Sequence, residues 1–148
     1  MIPTIEDLRA GRTLAEIQGM PAELGAAMAT LAAREADGGD LEVAGAILEG
    51  LVVTNPKDAL AWALLSQVKR RSGEPFAAVL CAEAAHRLAP EDRQVLLARA
   101  ESLLAVPADA GTGGPARREA ARAGLVALRD GGDEVARRAA VLLRGLGA

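Results

Sequence analysis

Residues 55–90 read NPKDALAWALLSQVKRRSGEPFAAVLCAEAAHRLAP. This stretch decides the fold because a proline that would end a helix stands at each end of it, Pro56 and Pro90. The residues before Pro56 match the residues before Pro90 at this same spacing. At that interval Gly39 aligns with Gly73, Ala44 with Ala78, Met28 with Trp62, and Leu31 with Leu65. Glycine breaks each unit in the middle and proline ends it, so the period predicts a recurring helix–turn–helix.

The interval between the two prolines resembles the period of the tetratricopeptide repeat (TPR), about 34 residues, whose helical pairs stack into a solenoid. We therefore predict one all-α domain over residues 1–148, a superhelical α-solenoid of three such repeats between an N-terminal helix and a C-terminal capping helix. Solenoids bind partners along their extended faces, so the period favours a binding protein over an enzyme. The predicted parts are the N-terminal helix 13–19, repeat one 21–56, repeat two 58–90, repeat three 91–130 with a loop insertion at 107–115, and the capping helix 133–146.

Polar residues at the expected helix starts support these boundaries. Thr13 and Glu16 have the spacing of a capping box, in which each side chain accepts a hydrogen bond from the backbone of the other residue. Asp40, Asp58 and Asp133 each stand before an apolar periodic run and are candidate N-caps.

Two expectations concern the N-terminal part of the chain. The first dozen residues are expected to be loosely ordered, with no more than a short turn capped by Thr4 and Asp7. The helix that starts near Pro21 is expected to bury an apolar stripe at steps of three and four residues. That stripe consists of Leu24, Met28, Leu31 and Ala32.

Composition excludes several classes of protein. The chain has 17 Lys and Arg against 20 Asp and Glu, and both signs are interspersed, so no basic face for nucleic acid is expected. Cys81 is the single cysteine, which rules out an internal disulfide and favours a reducing compartment. No stretch approaches the roughly 20 apolar residues that a membrane-spanning helix needs. We therefore predict a cytoplasmic protein without stable direct membrane association.

No group of residues indicates catalysis, so we predict neither an enzyme nor a cofactor or metal site. Cys81 and His86 lie five residues apart, but nothing near them in the sequence suggests an activating partner. One Cys and one His are also too few for a zinc site. The run Gly111-Thr-Gly-Gly114 lacks both the preceding strand and the lysine of a phosphate-binding loop, and we interpret it as a flexible loop. The arginine pairs at 117–118 and 137–138 are interpreted as solvated helix faces.

Three segments carry a resemblance to one family. Residues 13–20, TLAEIQGM, are similar to its N-terminal pattern T-L-x-E-I-x-G-L. Residues 51–62, LVVTNPKDALAW, are similar to its L-x-x-L-D-P-x-D followed by an aromatic stretch, and residues 100–104, AESLL, to its A-E-C-L-L. The family is that of the class II type III secretion chaperones of the LcrH/SycD type. The chain differs from the family in its scarcity of Tyr and Phe and in the insertion at 107–115.

The resemblance implies a small acidic cytoplasmic chaperone. Such proteins hold translocator subunits before export, cradle an extended client segment in the concave groove, and in many cases form homodimers through their N-terminal helices. By position in the repeat, we expect the client-peptide groove to contain Ala29, Ala33, Leu60, Ala63, Gln67, Arg70, Arg71, Gln94, Leu97, Glu101 and Leu104. Candidate dimer contacts are Leu14, Ile17, Met20 and Leu24.

Three other functions remain open besides a translocator chaperone. A general scaffold for protein–protein interaction would have the same groove without a translocator client, and a chaperone of needle subunits also uses this repeat. An enzyme is the third class of protein, after chaperones and scaffolds, and it would require an activity that depends on Cys81 or His86.

Overall fold

The computed structural model describes residues 2–147, which form nine helices and no strand. The all-α class predicted from the sequence is therefore confirmed. None of the helices within this range is long and apolar enough to cross a membrane. In chain order the helices are α1 Ile5–Arg9, α2 Leu14–Ile17, α3 Ala22–Asp37, α4 Leu41–Thr54, α5 Ala59–Arg71, α6 Pro75–Leu88, α7 Arg93–Ala105, α8 Gly114–Leu128 and α9 Glu134–Gly145.

Helices α3 to α8 form three successive hairpins that stack in chain order. Helix α3 packs on α4, α5 on α6, and α7 on α8. Each hairpin also contacts the next, through α4 with α5 and through α6 with α7. Helix α9 then packs on α8 and reaches α7, which closes the C-terminal end of the solenoid. This arrangement is the helical-repeat solenoid that the spacing of the two prolines predicted.

Aspartate side chains start four of the helices, and two capping boxes start the first two. Asp40, Asp58, Asp92 and Asp133 each accept a hydrogen bond from a backbone N–H in the first turn of α4, α5, α7 and α9. At α2, the Thr13 N–H donates to Glu16 Oε2 at 2.7 Å, and the Glu16 N–H donates back to Thr13 Oγ1 at 3.1 Å. The caps predicted at positions 13, 40, 58 and 133 are therefore confirmed.

The N-terminal dozen residues are more ordered than expected. Thr4 and Asp7 form a complete capping box, and α1 follows it as a short helix. Arg12 then donates to Asp7 Oδ1 at 2.7 Å, and Lys57 Nζ donates to the Gly11 carbonyl at 2.9 Å. These two contacts fix the end of the segment against the start of α5, and they were not predicted because Arg12 and Lys57 show no local signal.

The first residues of three helices differ slightly from the predicted starts. Pro21 is the N-cap of α3 and not part of its first turn. Helix α7 begins at Arg93 and not at Glu91, because Asp92 is its N-cap. Helix α8 begins at Gly114, inside the predicted loop, since Pro115 fits the first turn of a helix where a missing N–H costs nothing.

The core is built mostly from alanine, leucine and valine. Around α3, α4 and α5 it contains Ala32, Ala44, Leu48 and Leu65, all buried. A second cluster joins α7, α8 and α9 through Leu125 and its neighbours. A smaller one lies between the second and third hairpins and consists of Ala63, Ala85, Val95 and Ala98.

The predicted buried stripe of α3 is wrong at two of its four positions. Leu24 and Leu31 are each 48% exposed, and Ala29 and Ala36 lie in the core instead. The reason is tertiary: α3 is the first helix of the solenoid, and its main contacts are with α4 and α5. Leu65, one repeat further on, is buried because a preceding hairpin covers it.

A clamp between α7 and the α8–α9 turn fixes the C-terminal helix. The Arg93 guanidinium donates to Asp133 at 2.8 and 3.0 Å and to the Leu128 carbonyl at 3.0 Å. Gly131 lies directly beside the guanidinium, so a Cβ at that position would force Arg93 to move out of the clamp. Hydrogen bonds from Arg93 lower the pKa of Asp133 from its usual 3.8 to about 2.

The clamp should make the stability of the protein depend on pH in a narrow acidic range. Because the pKa of Asp133 is lower in the folded state, its stabilisation is complete above about pH 4 and is lost as the pH falls through about 2. We expect Asp133→Asn, which preserves the N-cap, to lower Tm at pH 6 by about 1–4 °C. Thermal unfolding between pH 6 and pH 2 measures this, and the gap between the two proteins should close toward pH 2. A gap that does not change with pH would contradict the assignment.

Candidate functional site

The residues predicted to line the groove lie on α3, α5 and α7, but they are not equally accessible. Three of them belong to the core: Ala29, Ala63 and Leu97. Leu60, Arg71 and Gln94 are exposed, and the remaining five are partly buried: Ala33, Gln67, Arg70, Glu101 and Leu104. The accessible surface of the groove is therefore narrower than the sequence suggested, since its small residues form the floor beneath it.

A cavity of about 390 Å³ lies at the N-terminal end of the groove, and we call it the N-terminal cavity. It is lined by the start of α3, the end of α4 and the start of α5, with α2 along one side. Gly25, Ala26 and Ala29 line one side with no bulky side chain, and Met20 and Leu60 add apolar surface. A volume of this size is at the lower end of those that hold ligands. The cavity can accept a large apolar side chain with its adjoining backbone.

Only part of this cavity was predicted. Ala29 and Leu60 were placed in the groove from their repeat positions, whereas Met20 was placed among the dimer contacts. The sequence signal that could have indicated the cavity is the run of small residues at 22, 25, 26 and 29, one turn apart along α3.

A charged cluster joins α5, α7 and α9 and includes two of the predicted groove residues. Glu101 on α7 accepts from Arg70 on α5 at 3.2 Å through Oε2, and from Arg138 on α9 at 2.7 Å through Oε1. The Glu101 side chain is largely buried, with 9% of its surface exposed. Sequence reasoning predicted Arg70 and Glu101 but missed Arg138, which was interpreted as part of the solvated face of a capping helix. Helix α9 thus contributes a side chain to a cluster that contains two of the predicted groove residues.

The Cys81 and His86 side chains do not form a reactive pair. Cys81 is a buried free cysteine, and burial raises the pKa of its thiol, which disfavours the nucleophilic thiolate. The Nδ1 atom of His86 is also buried and has no hydrogen-bond partner among the described residues.

The loop between α7 and α8 is held by one arginine. The Arg117 guanidinium donates to the carbonyls of Thr112, Ala110 and Pro107 at 2.8, 3.1 and 3.2 Å. Gly114 allows α8 to start directly against the loop, because a Cβ there would overlap the Ala108 carbonyl oxygen. Arg117, interpreted from the sequence as solvated, thus satisfies three carbonyls of the loop, and we expect the loop to be more ordered than its Gly and Pro content indicates.

A second cavity, of about 410 Å³, lies between this loop, the end of α7 and the first turn of α8. Leu104, one of the predicted groove residues, lines it together with Leu103, Val106 and Pro107. The inserted loop therefore adds apolar concave surface to the third hairpin, which a repeat with an ordinary short turn would lack.

Comparison with known proteins supports the fold. The chain is similar to a chain in the crystal structure of a T3SS complex from Aeromonas hydrophila, with a TM-score of 0.75. The alignment covers 96% of this chain and 93% of that chain. Sequence identity is 19%, so this likeness shows a shared fold and does not by itself transfer a function. No family model matches the chain, and no curated protein is similar to it in sequence.

The close contact at Gly114 gives a test of the ordered loop. Gly114→Ala should displace Ala108 and loosen the loop, so the amide protons of residues 107–113 should exchange faster with solvent. Gly124→Ala is the matched control on the same helix, since a Cβ at Gly124 meets nothing within 4 Å. It should leave the loop unchanged and stabilise α8 by about 0.5–1 kcal/mol. Hydrogen exchange measures both, and unchanged loop rates in Gly114→Ala would contradict a packed loop.

Proposed function

We propose that this protein is a cytoplasmic type III secretion chaperone. It binds an extended apolar segment of a translocator-type protein in the concave groove and keeps that client soluble and competent for export. The N-terminal cavity supports the proposal, because it offers a small-residue floor on α3 and an exposed apolar rim at Leu60 on α5, the first helices of two hairpins, which we propose to form the binding face. The T3SS complex that contains the similar fold supports it, as do the three segments that resemble the chaperone family.

Binding in this proposal is driven by burial of apolar client surface. Each Å² of apolar surface removed from water contributes about 25 cal/mol before the cost of ordering the client is subtracted. Ala26 and Gly25 leave room for a client side chain, and Gln67 and Gln94 can bond its backbone. The chaperone needs no bond-breaking chemistry, cofactor or metal for this task, so we propose a binding protein and not an enzyme.

We further propose that two copies associate through the N-terminal region. The uncovered side of α3 presents Leu24 and Leu31, and Leu14 and Met20 are only partly buried. A second copy can supply the cover that the first helix of a solenoid lacks. Ile17, predicted as a contact from the sequence, is 1% exposed and packs within its own chain, so it supports the interface from beneath.

A matched pair of substitutions tests the groove. Ala26 on α3 and Ala127 on α8 are both exposed helical alanines, but only Ala26 lines the N-terminal cavity, and Ala127 is remote from the proposed dimer face. We expect Ala26→Trp to fill the cavity and lower recovery of a soluble client complex about tenfold or more, and Ala127→Trp to leave it unchanged. The measurement is co-expression and co-purification with secreted proteins encoded beside the gene. If the two variants behave alike, the client does not use this cavity.

The same experiment separates chaperone from scaffold. A client that aggregates alone and becomes soluble with the wild-type chain identifies a chaperone. If the chain solubilises none of the neighbouring secreted proteins, the general scaffold reading replaces the proposal. A small needle subunit recovered in place of a translocator would favour the needle-subunit chaperone.

The dimer is tested by placing charge on the uncovered face of α3. Leu24→Asp should shift the protein from dimer to monomer in analytical ultracentrifugation, because a carboxylate would be buried without a partner at the interface. Val53→Asp is the control, since Val53 is a 66% exposed apolar residue on α4. A wild-type chain that sediments as a monomer at 100 μM would contradict the proposed dimer.

A further inference from the structure

Two arginines share one carboxylate in the groove. Arg70 and Arg138 both bond Glu101, so the cluster carries a formal charge of +1. Among the residues that the structure describes, no second carboxylate lies within ion-pair distance of either guanidinium. The next residue on α5, Arg71, is exposed and forms no ion pair within that range, which adds to the positive character of this part of the groove.

The two guanidinium groups retain unused hydrogen-bond donors. Each guanidinium has five N–H donors, and each of these two spends one on Glu101. The Nε of Arg70 is buried without a partner. The side chains of Arg70 and Arg138 are 27% and 47% exposed, so an incoming anion can reach them from the groove.

The cluster lies within reach of a segment anchored in the N-terminal cavity. Leu60 borders that cavity and Arg70 is ten residues further along α5, a rise of about 15 Å along the helix axis. Extended chain covers this distance in about four or five residues. One segment can therefore place an apolar side chain in the cavity and a second side chain beside Arg70 and Arg138.

We propose that Arg70 and Arg138 form a carboxylate-binding site for an Asp or Glu of the client segment. That residue lies four or five positions from the apolar side chain that fills the N-terminal cavity. The inference rests on the proposed function and names the chemistry of its client. The incoming carboxylate accepts from the free N–H groups of Arg138 and Arg70, so that two carboxylates alternate with two guanidinium groups. Charge-assisted hydrogen bonds of this kind are stronger than neutral ones, and a lysine at the same client position is repelled.

A set of defined peptides tests this site. The probes are ten-residue peptides, acetylated and amidated so that no terminal charge competes, with Leu or Phe at position three and Ser or Ala elsewhere. Position seven or eight carries Glu, Gln or Lys. Affinity is measured by fluorescence anisotropy for the wild type, for Arg138→Gln and for Arg137→Gln. Arg137 is the matched control, because it is the adjacent residue on α9 and pairs with Glu134.

We expect the wild type and Arg137→Gln to bind the Glu peptides about three- to tenfold more tightly than the Gln peptides, and the Lys peptides most weakly. Arg138→Gln should bind Glu and Gln peptides alike, with thermal unfolding confirming that the variant is folded. Arg138→Lys should restore part of the preference, because it keeps the charge and loses the planar fork.

Three other outcomes overturn the inference, and they separate it from the proposed function. If the Glu, Gln and Lys peptides bind with equal affinity and Ala26→Trp abolishes their binding, the carboxylate site is contradicted and the chaperone groove stands. A Glu preference that persists in Arg138→Gln would place the charge recognition elsewhere. If no peptide binds the wild type, the groove proposal itself fails and the inference falls with it.

Discussion

Close packing of helices through alanine is the constraint on which the rest of this structure depends. Eight alanines in the described part of the chain have no exposed surface: Ala32, Ala44, Ala61, Ala78, Ala82, Ala85, Ala121 and Ala139. A methyl group allows two helix axes to approach closely, and a larger side chain at such a crossing typically costs about 1–3 kcal/mol. Because the interior takes up so little side-chain volume, the groove is not filled from below. The N-terminal cavity is a direct result, and a client must supply the bulk that the chain lacks.

Much of the fold follows from signals that a sequence shows directly. The constant interval between Pro56 and Pro90, the aspartate N-caps and the Thr13–Glu16 capping box are all of this kind. The exposed faces of Leu24 and Leu31 could not be found in this way, because an apolar residue at helical spacing is buried only if a neighbour covers it. Leu65, the repeat partner of Leu31, is covered and Leu31 is not, since within the described residues only the short helices α1 and α2 come before α3.

The site was harder to predict than the fold, and for a related reason. The repeat register places Arg70 and Glu101 on the concave side, but Arg138 comes from a helix outside the repeats. Two cavities depend on what lies opposite a small residue, and small residues look alike in a sequence whether they face a helix or open space. Arg117 shows the reverse case, because a residue expected to face solvent binds three carbonyls of the inserted loop.

The bond from Arg138 to Glu101 also changes how the solenoid can come apart. In an ideal repeat protein each unit contacts only its neighbours, so the ends fray first and unfolding proceeds one unit at a time. Here α9 is tied to α7 through Glu101 and Arg93, and Glu101 is tied in turn to α5. Loss of the last helix therefore weakens the middle of the chain as well as its end. We therefore expect the C-terminal half to unfold as one cooperative block, and the N-terminal hairpin, whose outer face is uncovered, to open locally at a lower free energy.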